Sequence, residues 1–329
     1  MAVLYVKEQG TIIQKRSERI VVTRSGKTLL EISIENVESI TVIGNVQLTT
    51  QAMHMMMQKG IEIHHFTFSG KYLGSTTAES SKNIFLRLAQ YDLYQSKKKR
   101  MKIACSIVEN KIRNQIYVIE NHRWKLEEKE WKEEANQILS QIYEILDKVK
   151  NAETTSQLMG LEGKASHLYF KSYGKMFQCE IKFNGRNRRP PKDPINVIIS
   201  LGYTFLMKEV SSALEAESFE MYMGFLHGIR YGRKSLPLDI VEEFRQPVID
   251  RMTLKLFNKN MIQKYDFIFE EDKVILNEEG FKKFCKEFER WMVEQGFRTI
   301  IQEQAKKLKN AIQQKGEYIP FCLENNKNI

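Results

Sequence analysis

From residue 1 to about residue 80, apolar and polar positions alternate, as at Leu30, Ile32 and Ile34, and Ser25-Gly26 separates two such runs. A period of two sends successive side chains to opposite faces, so this stretch predicts strands joined by turns. Within it, Thr49 is placed to cap a short methionine-rich helix (Met53, Met55, Met56, Met57) that stops at Gly60; IEIHHFTF then resumes a strand and Ser69-Gly70 turns it. The methionines read as core packing. His64 and His65 fall on opposite faces of one strand, one buried and one exposed, which excludes a simple paired metal site.

From about Ser81 the spacing changes and is expected to stay helical to the end. Trp131, Ala135, Ile138, Ile142, Ile145 and Val149 are separated by fours and threes, the mark of an amphipathic helix with one buried face. Asp193-Pro194 predicts a helix start, with aspartate as N-cap and proline in the first turn, and the apolar run from Ile198 to Met207 predicts a helix in the core. The expected fold class is α+β: an N-terminal β-sheet domain over residues 1–82, followed by a larger all-α helical-bundle domain over residues 83–329. No internal repeat or long low-complexity linker interrupts it.

Charge narrows the partners. Lysine and arginine number 51 against 41 acids, a net charge of +10, which points to a polyanion, nucleic acid first. A membrane surface is disfavoured, because nothing resembles an amphipathic anchor and no uninterrupted apolar run approaches the ~18 residues of a membrane span. The opening MAVLYVKEQG does not read as a signal peptide, so a cytoplasmic location is expected. Cys105, Cys179, Cys285 and Cys322 form no CxxC pair, so neither a zinc knuckle nor a disulfide framework is indicated. Basic clusters stand at Lys97 to Arg100, Arg186 to Lys192, Arg230 with Arg233 and Lys234, and Lys306 to Lys309. The second, RNRRPPK, ends in prolines that break a helix; it reads as an exposed loop whose arginines can grip phosphate oxygens, or as a solvated loop. None of these clusters contains the regularly spaced aromatics of a single-strand stacking platform, which favours sequence-independent contact with the backbone.

The candidate chemistry lies in Gly224 to Arg251. His227 ends an apolar run, a turn-rich stretch follows, and Pro237 starts a second helical pattern carrying Asp239, Glu242 and Glu243 at i, i+3 and i+4, on one face. A histidine and carboxylates brought together across a turn suit a hard metal. The same residues also suit a helix start favoured by its dipole and a histidine satisfied in the core. Upstream, in LMGLEGKASHLYF, Glu162 lies between Gly160 and Gly163, so little bulk blocks approach to its carboxylate.

Several segments together carry a resemblance over almost the whole chain: LEGKAS with Glu162, RNRRPPKDPINVIISLGY, GFLHGIRYGRKSLPLDIVEEFR, GEYIPF, and in the N-terminal part IGNVQLTTQAM and KGIEIHHFTFSGKYLG. They resemble the first universal CRISPR-associated protein family, the endonucleases and integrases of spacer acquisition. The resemblance implies a β-sheet domain that forms a homodimer and a helical domain with a divalent-metal site for Mg²⁺ or Mn²⁺. Its catalytic metal ligands would be Glu162, His227 and Glu242, with Asp239 in support; the family carries either aspartate or glutamate at the position of Glu242. The implied activity is insertion of short foreign DNA into a CRISPR repeat array by phosphodiester transesterification. Partners would be double-stranded DNA and the small second universal CRISPR-associated protein, which bridges two dimers. Arg186, Arg188, Arg189, Arg230 and Arg233 are then expected to hold the DNA backbone. Arg245 would orient the carboxylates of its helix through an intrahelical pair. Glu243 is expected to face solvent or to form a salt bridge. A DNA-binding scaffold of the same fold without a competent site is the alternative, and a hydrolase of small phosphates a distant third.

Overall fold

The alternation in the first part of the chain becomes two four-stranded sheets. The structure, a computed structural model, describes residues 2–78, 83–123, 129–188 and 190–325. Contacts divide it into two units, residues 1–81 and residues 82–329. In the first unit, β1 (Ala2–Val6), β5 (Val37–Ile43) and β7 (Glu62–Phe66) run parallel, and β8 (Tyr72–Thr76) closes the sheet antiparallel to β7. The second sheet orders β4 (Lys27–Ser33), β3 (Arg19–Arg24), β2 (Thr11–Arg16) and β6 (Val46–Leu48). Ser25 and Gly26, both at positive φ, make the expected turn between β3 and β4.

Inward residues such as Ile13, Ile20, Ile40 and Ile63 share one core with Met55 and Met56 of α1 (Thr50–Gln58). The Thr49 hydroxyl accepts the Ala52 amide at 3.3 Å, and the chain leaves the helix at Gly60 in the left-handed region. His64 is buried; His65, half-buried on the other face, lies 3.0 Å from the Thr76 hydroxyl. Leu30 departs from the simple alternation. It is exposed because β4 is the outer strand of its sheet.

In the second unit, α2 (Ile84–Gln95), α3 (Lys97–Arg123), α4 (Lys129–Val149) and α5 (Thr155–Gly174) come first, with α3, α4 and α5 packed on one another. Trp131, Ala135, Ile138, Ile142 and Val149 form the buried face of α4, with Ile145 at its margin. The α6 helix (Pro194–Ala216) is capped by Asp193, whose Oδ1 accepts the Asn196 amide at 2.8 Å, and proline occupies its first turn. This helix is long and apolar enough to cross a membrane, yet most of its apolar window is buried within the unit. It packs on α7 (Ser235–Val241), on a π-helical segment from Arg245 to Asp250, and on α10 (Phe297–Ile312). Pro247 has no N–H to give, which interrupts the ordinary helical ladder within the π segment.

Between α8 (Arg251–Asn258) and α9 (Glu278–Glu294) the expectation of helix to the end fails. Residues β9 (Phe267–Phe269) and β10 (Val274–Leu276) form an antiparallel hairpin. The triplets FIF and VIL are rich in β-formers and flank a polar turn, and the Val274 amide donates to the Pro191 carbonyl at 2.9 Å. The hairpin thus ties down the arginine loop.

Glu243 corrects a second expectation. It neither faces solvent nor enters a salt bridge among the described residues: it is 0% exposed. The Tyr318 hydroxyl, the Phe321 amide at 2.9 Å and the Gln304 side chain at 3.2 Å all donate to it. Asn114 of α3 donates to the Glu243 and Phe321 carbonyls at 3.0 and 3.1 Å and accepts the Leu323 amide at 2.8 Å. The motif GEYIPF is therefore a strap that binds α3 to the chain just after α7.

Two tests follow from this packing. A Cβ on Gly202 of α6 would meet Ile249 Cγ2 at 2.6 Å, so Gly202→Ala should cost about 1–3 kcal/mol despite alanine's better helix propensity; equal or higher stability in urea unfolding would contradict this contact. For Glu243, burial pushes the carboxyl up from 4.5 to about 7 against the three hydrogen bonds. A raised folded pKa means stability that is present below about pH 4.5 and lost as pH rises through about 7, up to roughly 3 kcal/mol. Glu243→Gln, which keeps the shape without the charge, should flatten that decline in melting temperature; an unchanged slope would refute it.

Candidate active site

Asp239 organises the loop that carries His227. Its Oδ2 accepts the Phe225 and Leu226 amides, the latter at 2.9 Å, while Oδ1 accepts the His227 amide at 2.9 Å and His227 Nδ1 at 2.7 Å. A Cβ on Gly224 would stand 2.8 Å from Asp239 Oδ2 and from the Ser235 backbone, so only glycine allows this approach. Arg233 donates to the His227 carbonyl, to the Gly228 carbonyl at 3.3 Å and to the Ser235 hydroxyl at 3.2 Å. Both the backbone and the ring of the histidine are thereby clamped. With Nδ1–H given to a carboxylate, Nε2 is the nitrogen left for a ligand.

The predicted carboxylates of the second helix do not share one face. The α7 helix ends at Val241, so the i, i+3, i+4 relation stops short of them. Asp239 turns to the histidine loop and Glu243 to the C-terminal strap, as described. Glu242 turns to Glu162, and the ammonium of Lys111, on α3, donates to Glu162 Oε1 and to Glu242 Oε2. Arg245 takes the other Glu242 oxygen at 3.0 Å, the expected pair three residues apart but formed across the turn after α7 and not within one helix, and it makes none with Asp239 among the described residues. Ser166 donates to Glu162 Oε1 at 2.8 Å and is itself held by Gln115 at 3.0 Å. Around Gly160 and Gly163 a Cβ would meet nothing within 4 Å, so this face of α5 is open.

Burial raises the Glu242 carboxyl, but Arg245 and Lys111 outweigh it, with a smaller pull from His227, and hold it at about 2. Glu242 is therefore an anion at any physiological pH. Lys111 is absent from the expectations above, although a signal existed. Lys111, Asn114 and Gln115 sit on the stripe of α3 defined by buried Ala104, Ile107, Val108 and Val118, and polar residues on an apolar stripe require partners.

Beside this cluster lies a basic cleft of about 580 Å³ over Lys111, Glu162, Arg186, Arg188, Tyr203 and Arg245. The Tyr203 ring is flanked by Arg245 at 4.5 Å and Arg186 at 5.6 Å, and its hydroxyl donates to buried Asp250 at 2.7 Å. Burial pushes the Asp250 carboxyl up to about 6, although Tyr203, Tyr169, Arg245 and Arg186 pull it down. Arg186 is anchored by Asn196 at 2.7 Å and Ser200 at 3.0 Å. Arg188 is exposed and lines the cleft; Arg230 is exposed on the loop after His227; Arg189 lies outside the described residues. Arg233, by contrast, is spent largely on its own loop.

Among the described residues no three His, Cys, Asp or Glu side chains converge as a metal cage. The space between the two carboxylates is filled instead by a lysine ammonium. Two carboxylates drawn around one positive charge, beside an imidazole with its Nε2 unclaimed, are a donor set that fits a hard divalent ion once that ammonium withdraws.

The comparisons with known proteins agree with this architecture. The family described as CRISPR associated protein Cas1 matches residues 4–290. A CRISPR-associated endonuclease Cas1 of Thermus thermophilus is 31% identical over 336 residues, covering 98% of each chain. The solved structure of a Cas1 protein from Thermotoga maritima superposes with a TM-score of 0.83 at 29% identity, over 95% of this chain and 97% of that one. A chain of a Cas6-RT-Cas1–Cas2 complex gives a TM-score of 0.81 at 27% identity, over 97% of this chain and 36% of that one. With a matching family model over most of its length, an α+β fold in common and near-complete coverage of a named endonuclease, the chain belongs to the CRISPR-associated Cas1 family.

Proposed function

We propose that this protein is a divalent-metal-dependent DNA endonuclease and integrase that inserts short foreign DNA into a CRISPR repeat array by phosphodiester transesterification. The observation that carries this reading is the meeting of Glu162 and Glu242 on one cation, with Asp239 behind His227. Glu162, His227 and Glu242 would hold Mg²⁺ or Mn²⁺. The ion would supply Lewis-acid polarisation of the scissile phosphodiester and promote deprotonation of the attacking water or 3′ hydroxyl.

The chain's own residues do the positioning. Asp239 holds the imidazole through Nδ1 so that Nε2 is the nitrogen left for a ligand, and Arg245 holds one Glu242 oxygen so that the carboxylate cannot rotate freely. Arg186, Arg188 and Arg245 line the cleft and would hold phosphates of double-stranded DNA, with Arg230 as a further contact from the loop after His227. No covalent nucleophile is called for: the Ser166 hydroxyl is given to Glu162 and the Tyr203 hydroxyl to Asp250. Arg233 acts here by bracing the His227 loop. The family assignment supports a homodimer formed through the β unit. Likeness to a chain of a Cas6-RT-Cas1–Cas2 complex supports a small companion protein that bridges two dimers.

Labelled DNA, a repeat-bearing plasmid and Mn²⁺ test this directly. His227→Ala should abolish cleavage and strand transfer while duplex binding persists, Asp239→Asn should lose about 10–100-fold of activity, and EDTA should stop the native protein. Full activity of the His227→Ala protein would refute the proposal and leave a DNA-binding scaffold as the reading.

A further inference from the structure

The cation between the carboxylates belongs to the protein itself. We propose that Lys111 is the resident cation of the metal-free centre: its ammonium stands where the divalent ion must bind and competes with that ion for Glu162 and Glu242. This rests on the metal-dependent reading above and deepens it.

Three observations support competition over simple bracing. First, Lys111 reaches from α3 to oxygens on two other segments, and the three side chains are only 6%, 24% and 6% exposed for Lys111, Glu162 and Glu242. Without the lysine, two carboxylates would face each other in a poorly solvated gap with Arg245 alone to offset them. Second, the remaining positions on these carboxylates are not equivalent to the ones the lysine uses. Arg245 occupies Glu242 Oε1, so Oε2, which Lys111 holds, is the Glu242 oxygen turned toward Glu162. Third, a divalent ion seated about 2.0–2.6 Å from the same oxygens would lie against the ammonium with no room for water between like charges. Both cannot occupy the gap. Lysine, a point charge on a flexible four-carbon stem, can leave it without unfolding α3, and Lys111 already borders the basic cleft.

The charge count agrees. Glu162 and Glu242 against Lys111 and Arg245 sum to zero, so the metal-free cluster is neutral. The lysine therefore lets three helical segments assemble before metal arrives, and sets the metal concentration needed to displace it.

Calorimetric titration of Mn²⁺ into the full-length protein, stripped with EDTA and dialysed, tests this with Lys111→Met and Lys111→Gln; far-UV circular dichroism confirms folding, and the glutamine variant keeps a hydrogen-bond donor should the methionine variant fail to fold. Heat that disappears in Glu162→Gln defines binding at this centre. Removing the lysine charge should tighten the Mn²⁺ Kd at least ~10-fold, about 1.4 kcal/mol. In EDTA the same variants should melt below the native protein, and Mn²⁺ should restore them. A Kd that is unchanged or weaker would overturn Lys111 as competitor while leaving the metal reading intact. Absence of Mn²⁺ binding at this centre in native protein and variants alike would overturn both.

Discussion

One ammonium joins α3, α5 and the end of α7. Lys111 satisfies two carboxylates that would otherwise repel each other in a buried gap, and this contact decides where Glu162 and Glu242 can be. A buried ion pair of this kind is weak evidence of stability, because desolvation offsets much of the attraction. It is stronger evidence of a required arrangement: Arg245 and Lys111 together hold Glu242 ionised at about 2 although burial opposes it. The structure maintains a concentrated, near-neutral set of charges where Glu162 of α5 and Glu242 after α7 meet.

The surrounding fold is arranged to keep that set in register. Asn114, one turn along α3 from Lys111, is bonded to the backbone on both sides of the C-terminal strap, and Glu243, the neighbour of Glu242, is bonded to the strap's Tyr318 and Phe321. The closing segment of the chain is thus part of the foundation of the site. On the opposite side, Gly202 lets α6 approach the π segment closely enough to lay Tyr203 against Arg245. His227 is held locally, with Arg233 bracing its carbonyl. Its position comes from the four hydrogen bonds that Asp239 accepts from residues 225–227.

What was legible in the sequence is what short-range chemistry determines. Alternation marks the strands, Thr49 and Asp193 mark helix starts through side chains that reach only three residues, and the buried face of α4 follows from its spacing. The pairing of Arg245 with Glu242 is likewise a one-turn relation. Glu162 could be singled out through its glycine neighbours and the family motif, not through any contact visible along the chain. Where distance along the chain is large, the pattern was silent. Lys111 lies far in sequence from both of its partners, Glu243 finds the C-terminal strap, and the hairpin at residues 267–276 is too short to impose a period against its helical flanks. The face shared by Asp239, Glu242 and Glu243 failed for a related reason: the rule holds only while the helix continues, and α7 stops at Val241.

In the function proposed above, the carboxylates gathered around Lys111 would pass from that lysine to a divalent ion. Diffraction from crystals soaked in Mn²⁺, recorded at the manganese absorption edge, tests that view most directly. The expected result is an anomalous peak in contact with Glu162, Glu242 and His227 Nε2, with the Lys111 ammonium moved out of the gap. A peak elsewhere, or no peak with Lys111 still bridging the two carboxylates, would contradict it.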